Sequence, residues 1–302
     1  MHTIEIPNNT TIKFPEHLGE YNHAQYKNFC ELLVHHNAGV ISYHKFRIQL
    51  VYKLMDMQHS KRKLTPEELE TRNENIYRLS LLIDGLFTEK TTEGKLHKIL
   101  NLSFVDNKCP KFTHKDIVYY GPDDALLNIS FDEFLAAISS YNSFNKTQDI
   151  NDLNQLVAAL YRPEKPETDY NLLTNYDGDI RQEFYQTNVS QRAKELATLD
   201  PGTKLGIKLF FEACINYITS ATDINVQGNS IDLTVLFKGK SSQEKSIGML
   251  NVLFSLAETN VFGDKEKTGK ERYWTILLKL YQNHLDAESQ KKQIEDAKRN
   301  QS

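Results

Sequence analysis

Apolar positions along this chain follow two different periods, and the changes between them mark its elements. From Thr3 to Phe14 they alternate, with Ile4 and Ile6 before Pro7-Asn8-Asn9 and Ile12 and Phe14 after it, which predicts a small β-hairpin. From Tyr26 the period becomes helical: Tyr26, Phe29, Cys30, Leu33 and Val34 make one stripe that stops near Asn37-Ala38-Gly39. A second helix follows, with Phe46, Ile48, Val51, Tyr52 and Met55 on its inner side. Thr65-Pro66-Glu67-Glu68 combines a threonine cap, a proline at the first helical position and a glutamate at the third, so it opens a long helix through Ile76, Leu79, Leu82, Ile83 and Leu86. Between Thr88 and Asp124 the pattern loosens around Gly94, Cys109-Pro110 and Gly121-Pro122, with Ile117–Tyr120 as a candidate strand; a domain boundary or hinge is expected here.

Ser130-Phe131-Asp132-Glu133 predicts a second capping box and a helix through Phe134, Leu135 and Ile138. Next, Leu153, Leu156, Val157, Leu160 and Tyr161 place five apolar side chains on one face of a short helix, which Pro163 must end right after Tyr161. Arg181 to Leu199 is polar and weakly helical, and Asp200-Pro201-Gly202 then caps the most apolar helix in the chain, with Lys208, Glu212 and Asn216 as its one polar stripe. Ile231–Phe237 reads as a strand, and Ile247–Ala257 and Tyr273–Leu285 as helices. The segment from Asp286 to Ser302 offers no face to bury and is expected to project or fray. The expected fold is mainly α, a multi-helix globular protein with a short N-terminal β-hairpin and minor extra strands. Its expected parts are residues 1–115, 116–285 and a polar tail, 286–302.

Composition narrows the function classes. The 302 residues include 36 basic and 40 acidic side chains, so no global positive field points to nucleic acid or an anionic membrane. No segment approaches the ~20 consecutive apolar residues of a membrane span, and the first residues lack the apolar run of a signal peptide. Cys30, Cys109 and Cys214 fit neither a disulfide framework nor a zinc pattern, which suggests reduced thiols and a cytosolic setting.

Candidate chemistry is sparse. Gly239-Lys240-Ser241 imitates the end of a phosphate-binding loop, but the glycine needed five positions earlier is Thr234. Gly263 to Lys270 also fails, with one residue too many between its glycines and Glu271 where a hydroxyl belongs. His35 and His36 are adjacent and point roughly 100° apart on a helix, so they cannot share a metal as an i, i+4 pair can. Asp177-Gly178-Asp179 lacks the closing glutamate of a calcium loop and is most simply a turn. No catalytic, metal or cofactor site is expected.

Leu160-Tyr161-Arg162-Pro163, with its flanks, resembles a group of tailed-bacteriophage and prophage-like proteins regarded as tail-assembly proteins or chaperones associated with the tape-measure protein. Matching stretches are Gly121–Leu126, Ser130–Phe134, Leu153–Leu156, Asp179–Arg181, Leu209–Cys214, Phe254–Glu258 and Val261–Gly263, so the resemblance covers roughly residues 117 to 285. It implies a non-catalytic role in tail assembly, in the host cytoplasm, with the tape-measure protein as suspected partner. The alternative is a structural virion protein, such as a neck, baseplate or other tail subunit. Tyr161, Arg162 and Pro163 are the residues expected nearest the partner-binding surface. Arg162 has two readings at this point: a cap on its own helix's carbonyls, or a fork for a partner carboxylate.

Overall fold

Helix carries most of the chain, as the 3.6-residue spacing of its apolar positions requires. The computed structural model describes residues 1–6, 10–58, 62–92, 94–166, 178–237 and 249–299. Among them are ten α-helices and four small sheets, so the molecule is mainly α with an N-terminal hairpin. The chain divides into two compact units, Met1–Phe112 with Thr198–Ala213, and Thr113–Ala197 with Cys214–Ser302.

In the first unit, β1 (His2–Ile6) and β2 (Thr10–Phe14) pair antiparallel, with Ile4 opposite Ile12. The helices α1 (His23–Asn37), α2 (Tyr43–Leu54) and α3 (Pro66–Leu82) start on side-chain caps from Asn22, Ser42 and Thr65. The Thr65–Glu68 box closes in both directions, and so does one between Asn22 and Gln25. Phe29, Phe46, Leu50 and Val51 are wholly buried, and the Phe29 ring meets Tyr21 and Phe46 edge-on at 6.0 and 6.1 Å. The helix that starts at Pro201 completes this core. A Cβ on its Gly206 would lie 3.1 Å from the Tyr26 ring and 3.2 Å from Cys30 Sγ, and the Tyr26 hydroxyl donates to the Gly206 carbonyl at 2.8 Å. Where the sequence pattern loosens after Thr88, the chain forms a hairpin of β3 (Phe87–Thr92) and β4 (Lys95–Leu100). Its apolar residues Leu96 and Ile99 are exposed, so no buried face imposes the alternation that would have revealed it.

The second unit starts at Thr113, within β5 (Lys111–His114), which is joined to β6 (Ile117–Tyr120) at Lys115-Asp116, both with positive φ. α4 (Phe131–Thr147) and α5 (Ile150–Leu160) pack on each other, and β7 (Arg162–Pro163) pairs with β6. α6 (Gln186–Glu195) packs on α5. α7 (Pro201–Ser220) is followed by the hairpin β8 (Ile224–Val226) and β9 (Asn229–Ile231). The strand expected over Ile231–Phe237 stops at Ile231. Asp232 accepts from the Thr234 N–H and starts a 3-10 turn over Leu233–Leu236. α8 (Met249–Glu258), α9 (Lys265–Lys270) and α10 (Tyr273–Arg299) complete the unit, the Tyr273 ring stacking on Phe134 at 3.7 Å. The expected polar tail is continuous helix through Arg299, almost wholly exposed from Leu285 onward.

Candidate functional site

The site is built at the C-terminal end of α5. Pro163 has no N–H and forbids the α conformation just before it, and the chain turns extended one residue earlier than expected, at Tyr161 (φ −112°, ψ 125°). An ending helix leaves its last four carbonyls without intrahelical donors. Here all four are accounted for. Val157 accepts from the Tyr161 N–H at 2.9 Å, Ala158 from Arg192 Nη1 at 2.6 Å, Ala159 from Arg162 Nη1 at 3.2 Å, and Leu160 from Arg181 Nη1 at 3.0 Å. Three buried guanidiniums therefore take three consecutive carbonyls, at the end where the helix dipole concentrates negative charge.

Arg181 spends all five of its N–H groups. Nε and Nη2 reach Asp179 at 2.9 and 2.8 Å, Nη1 reaches Glu133 and the Leu160 carbonyl at 2.8 and 3.0 Å, and Nη2 also reaches the Asn128 carbonyl at 3.1 Å. Arg162 pairs with the same Glu133 oxygen at 2.9 Å, donates from Nε to the Gln182 carbonyl at 2.6 Å, and lies over the Phe184 ring. Burial pushes the Arg162 guanidinium down to about 10, with Glu133 opposing and Arg181 adding to the shift. Burial also acts against charge on Arg181, yet Glu133 and Asp179 outweigh it and hold the group above its ordinary range. For Asp179, burial opposes ionisation, but the hydrogen bonds and charge of Arg181 keep its carboxyl below the usual carboxylate range. Three buried cations against two buried carboxylates leave one positive charge, which the α5 terminus complements.

A strained loop closes over this cluster. Ala125 and the buried Leu126 both have positive φ, 51° and 60°, an unusual pair for residues with a Cβ. Trp274 Nε1 holds the Ala125 carbonyl at 2.8 Å, and the Asn128 carbonyl accepts from Arg181 and Arg272. Gly121 has no room for a side chain, because a Cβ there would sit 2.4 to 2.7 Å from the Tyr161 ring and hydroxyl.

The structure thus brings together four of the stretches singled out in the sequence: Gly121–Leu126, Ser130–Phe134, Leu160–Pro163 and Asp179–Arg181. Of the expected partner-binding residues, Tyr161 and Arg162 are buried, at 0 % and 2 % exposure, and Pro163 is half-buried. Arg162 caps its own helix, and the carboxylates it meets are the chain's own. The second capping box forms only by half. Ser130 Oγ accepts from the Glu133 N–H at 3.2 Å, while the Glu133 carboxylate turns inward to the arginines, which outcompete a neutral N–H for it. Arg192 carried no signal in the sequence beyond a polar, weakly helical segment.

Other candidates disperse. Gly239-Lys240-Ser241 and Asp177 lie outside the described residues. His36 Nδ1 sits 3.2 Å from the Ile41 carbonyl. Among the described residues, no group of three or more His, Cys, Asp or Glu is placed to hold a metal ion, and no helix is long and apolar enough to cross a membrane. The cysteines are free and buried; burial raises the Cys30 thiol and pushes Cys109 up to about 11, so both stay protonated and weakly nucleophilic at neutral pH. No protein-family model, curated protein or solved structure matches this chain.

Proposed function

We propose that this chain is a non-catalytic assembly protein of a phage-like tail, acting in the host cytoplasm as a chaperone for the tape-measure protein. One observation carries the reading. Four of the stretches through which the chain resembles tape-measure-associated proteins meet at one spot, and the arginines and carboxylates there are spent on one another and on the end of α5. An active site would leave an acid, base or nucleophile within reach of a substrate. A joint whose central Arg181 spends every donor within the chain serves instead to hold a scaffold rigid, and a rigid scaffold presents binding surfaces. The test is mass spectrometry of purified particles beside the lysate in which they assembled, with co-purification of the tape-measure protein from that lysate. The expected result is a protein abundant in the lysate, bound to the tape-measure protein and absent from finished particles.

The second reading is a structural subunit of the neck, baseplate or tail, self-associating in many copies. The exposed half of α10 favours it, since a bare helix is a ready contact for neighbours. A fixed copy number in particles would select it over the first.

A further inference from the structure

The first unit carries an open groove of about 580 Å³ between the β1–β2 hairpin and α3. Ile4 and Ile12 line it, and because they face each other across the hairpin their side chains share one face of the sheet. Met55 and Met57, just past α2, also line it, and α3 borders it from Glu67 through Arg72 to Leu79, about 18 Å at 1.5 Å per residue. The hairpin offers the groove a face and not an edge, so an incoming strand would find no ladder to extend. An amphipathic helix would find an apolar bed of fitting length, with methionines able to adapt to its side chains.

Charge is laid out along the same wall. Glu68, also in the groove lining, pairs with Arg62, and Glu74 pairs with Arg78, whereas Glu70, outside the lining, has no ion pair among the described residues. Arg72 and Glu67 line the groove with no ion pair among the described residues. Arg72 Nε is shielded from solvent and has no acceptor there, its guanidinium bonding only the neighbouring Asn73 side chain at 3.1 Å. A desolvated donor left without an acceptor is unfavourable until something supplies one. The two unpaired charges are five residues apart on one helix, about 7.5 Å.

We propose that this groove binds an amphipathic α-helix of a partner protein, its apolar stripe seated on Ile4, Ile12, Met55 and Met57. A carboxylate of that helix meets Arg72, and a lysine or arginine about five residues along meets Glu67. The inference rests on the reading of the chain as a binding protein for a helical partner, and it supplies the surface and the partner's charge pattern.

The test is anisotropy titration of the full chain with a labelled synthetic peptide of about 14 residues. The peptide carries leucines at i, i+3, i+4 and i+7 spacing and a glutamate and a lysine about five residues apart. Saturable binding is expected. R72E should weaken it roughly tenfold, equivalent to about 1.4 kcal/mol, with unchanged melting, and a peptide whose glutamate is replaced by lysine, a charge swap at that one position, should recover affinity for R72E. Asn75→Trp, which fills the groove from an exposed position, should weaken both peptides. No binding by the wild-type chain, indifference to R72E, or a dimer of this chain that N75W dissolves would each overturn the proposal. The outcomes also separate it from the assembly reading. Equal capture of the tape-measure protein by wild type and R72E sinks the groove alone, whereas charge-swap rescue with no capture sinks the tape-measure assignment alone.

Discussion

Deleting the Arg181 guanidinium would leave Glu133 and Asp179 with weaker compensation and the Leu160 and Asn128 carbonyls without their Arg181 donors, all in a buried setting. Arg181→Ala is therefore expected to lose about 3–5 kcal/mol, enough to unfold a marginal domain, and urea denaturation reads it directly. Arg162→Ala should lose less, about 1–3 kcal/mol, since Glu133 keeps Arg181 and only the Ala159 and Gln182 carbonyls lose a donor. Gly121→Ala drives a methyl into the Tyr161 ring and should destabilise by about 1–3 kcal/mol. At this scale the sequence was partly legible. The capping role of Arg162 was one of two readings open to it, because a basic residue just past a helix end has that option anywhere. The depth of the cluster was not legible, since nothing in the spacing of Glu133, Arg162, Asp179 and Arg192 says that three helices, α4, α5 and α6, and the segments around Asn128 and Asp179 converge.

Elements with one buried face announced themselves. α3 and α5 begin within a few residues of where cap and period place them, because cap chemistry and burial act locally. Elements without such a face did not: the β3–β4 hairpin has exposed apolar residues, and the 3-10 turn after Ile231 is set by the Asp232 side chain. The same logic makes α10 two helices in energetic terms. Its first turns bury Tyr273, Ile276 and Leu277, while almost everything after Leu285 is in solvent. Truncation after Leu285 is expected to leave the melting temperature unchanged and remove helical signal from circular dichroism; a large drop in melting temperature would show that the exposed half supports the fold.

Across the whole molecule, the described buried carboxylates, Glu133 and Asp179, both lie in the second unit, whereas the buried charge described in the first unit is a lysine, Lys204, beside a largely apolar and aromatic core. Asp179 is held below its ordinary range when folded, so its contribution is complete above the unfolded value of about 3.9 and is lost as pH falls through the folded one. Asp84 in the first unit is also lowered, but its side chain is 36 % exposed and solvent screens its contribution. As pH drops below about 4, amide exchange is expected to rise in the α5 end and its surroundings before α1 and α2, and pulse-labelling mass spectrometry would detect the reverse order. The division of the chain has a further consequence, for its biosynthesis. The first unit is discontinuous, Met1–Phe112 being finished by Thr198–Ala213. At roughly 5–20 residues per second, several seconds of translation separate the two pieces. During that interval the α1 surface that will receive Gly206, including Tyr26 and Cys30, has no native cover. The nascent chain thus carries a sticky, half-built core while the whole second-unit segment up to Ala197 is made, and the order of synthesis exposes it to aggregation in a way that the finished fold conceals.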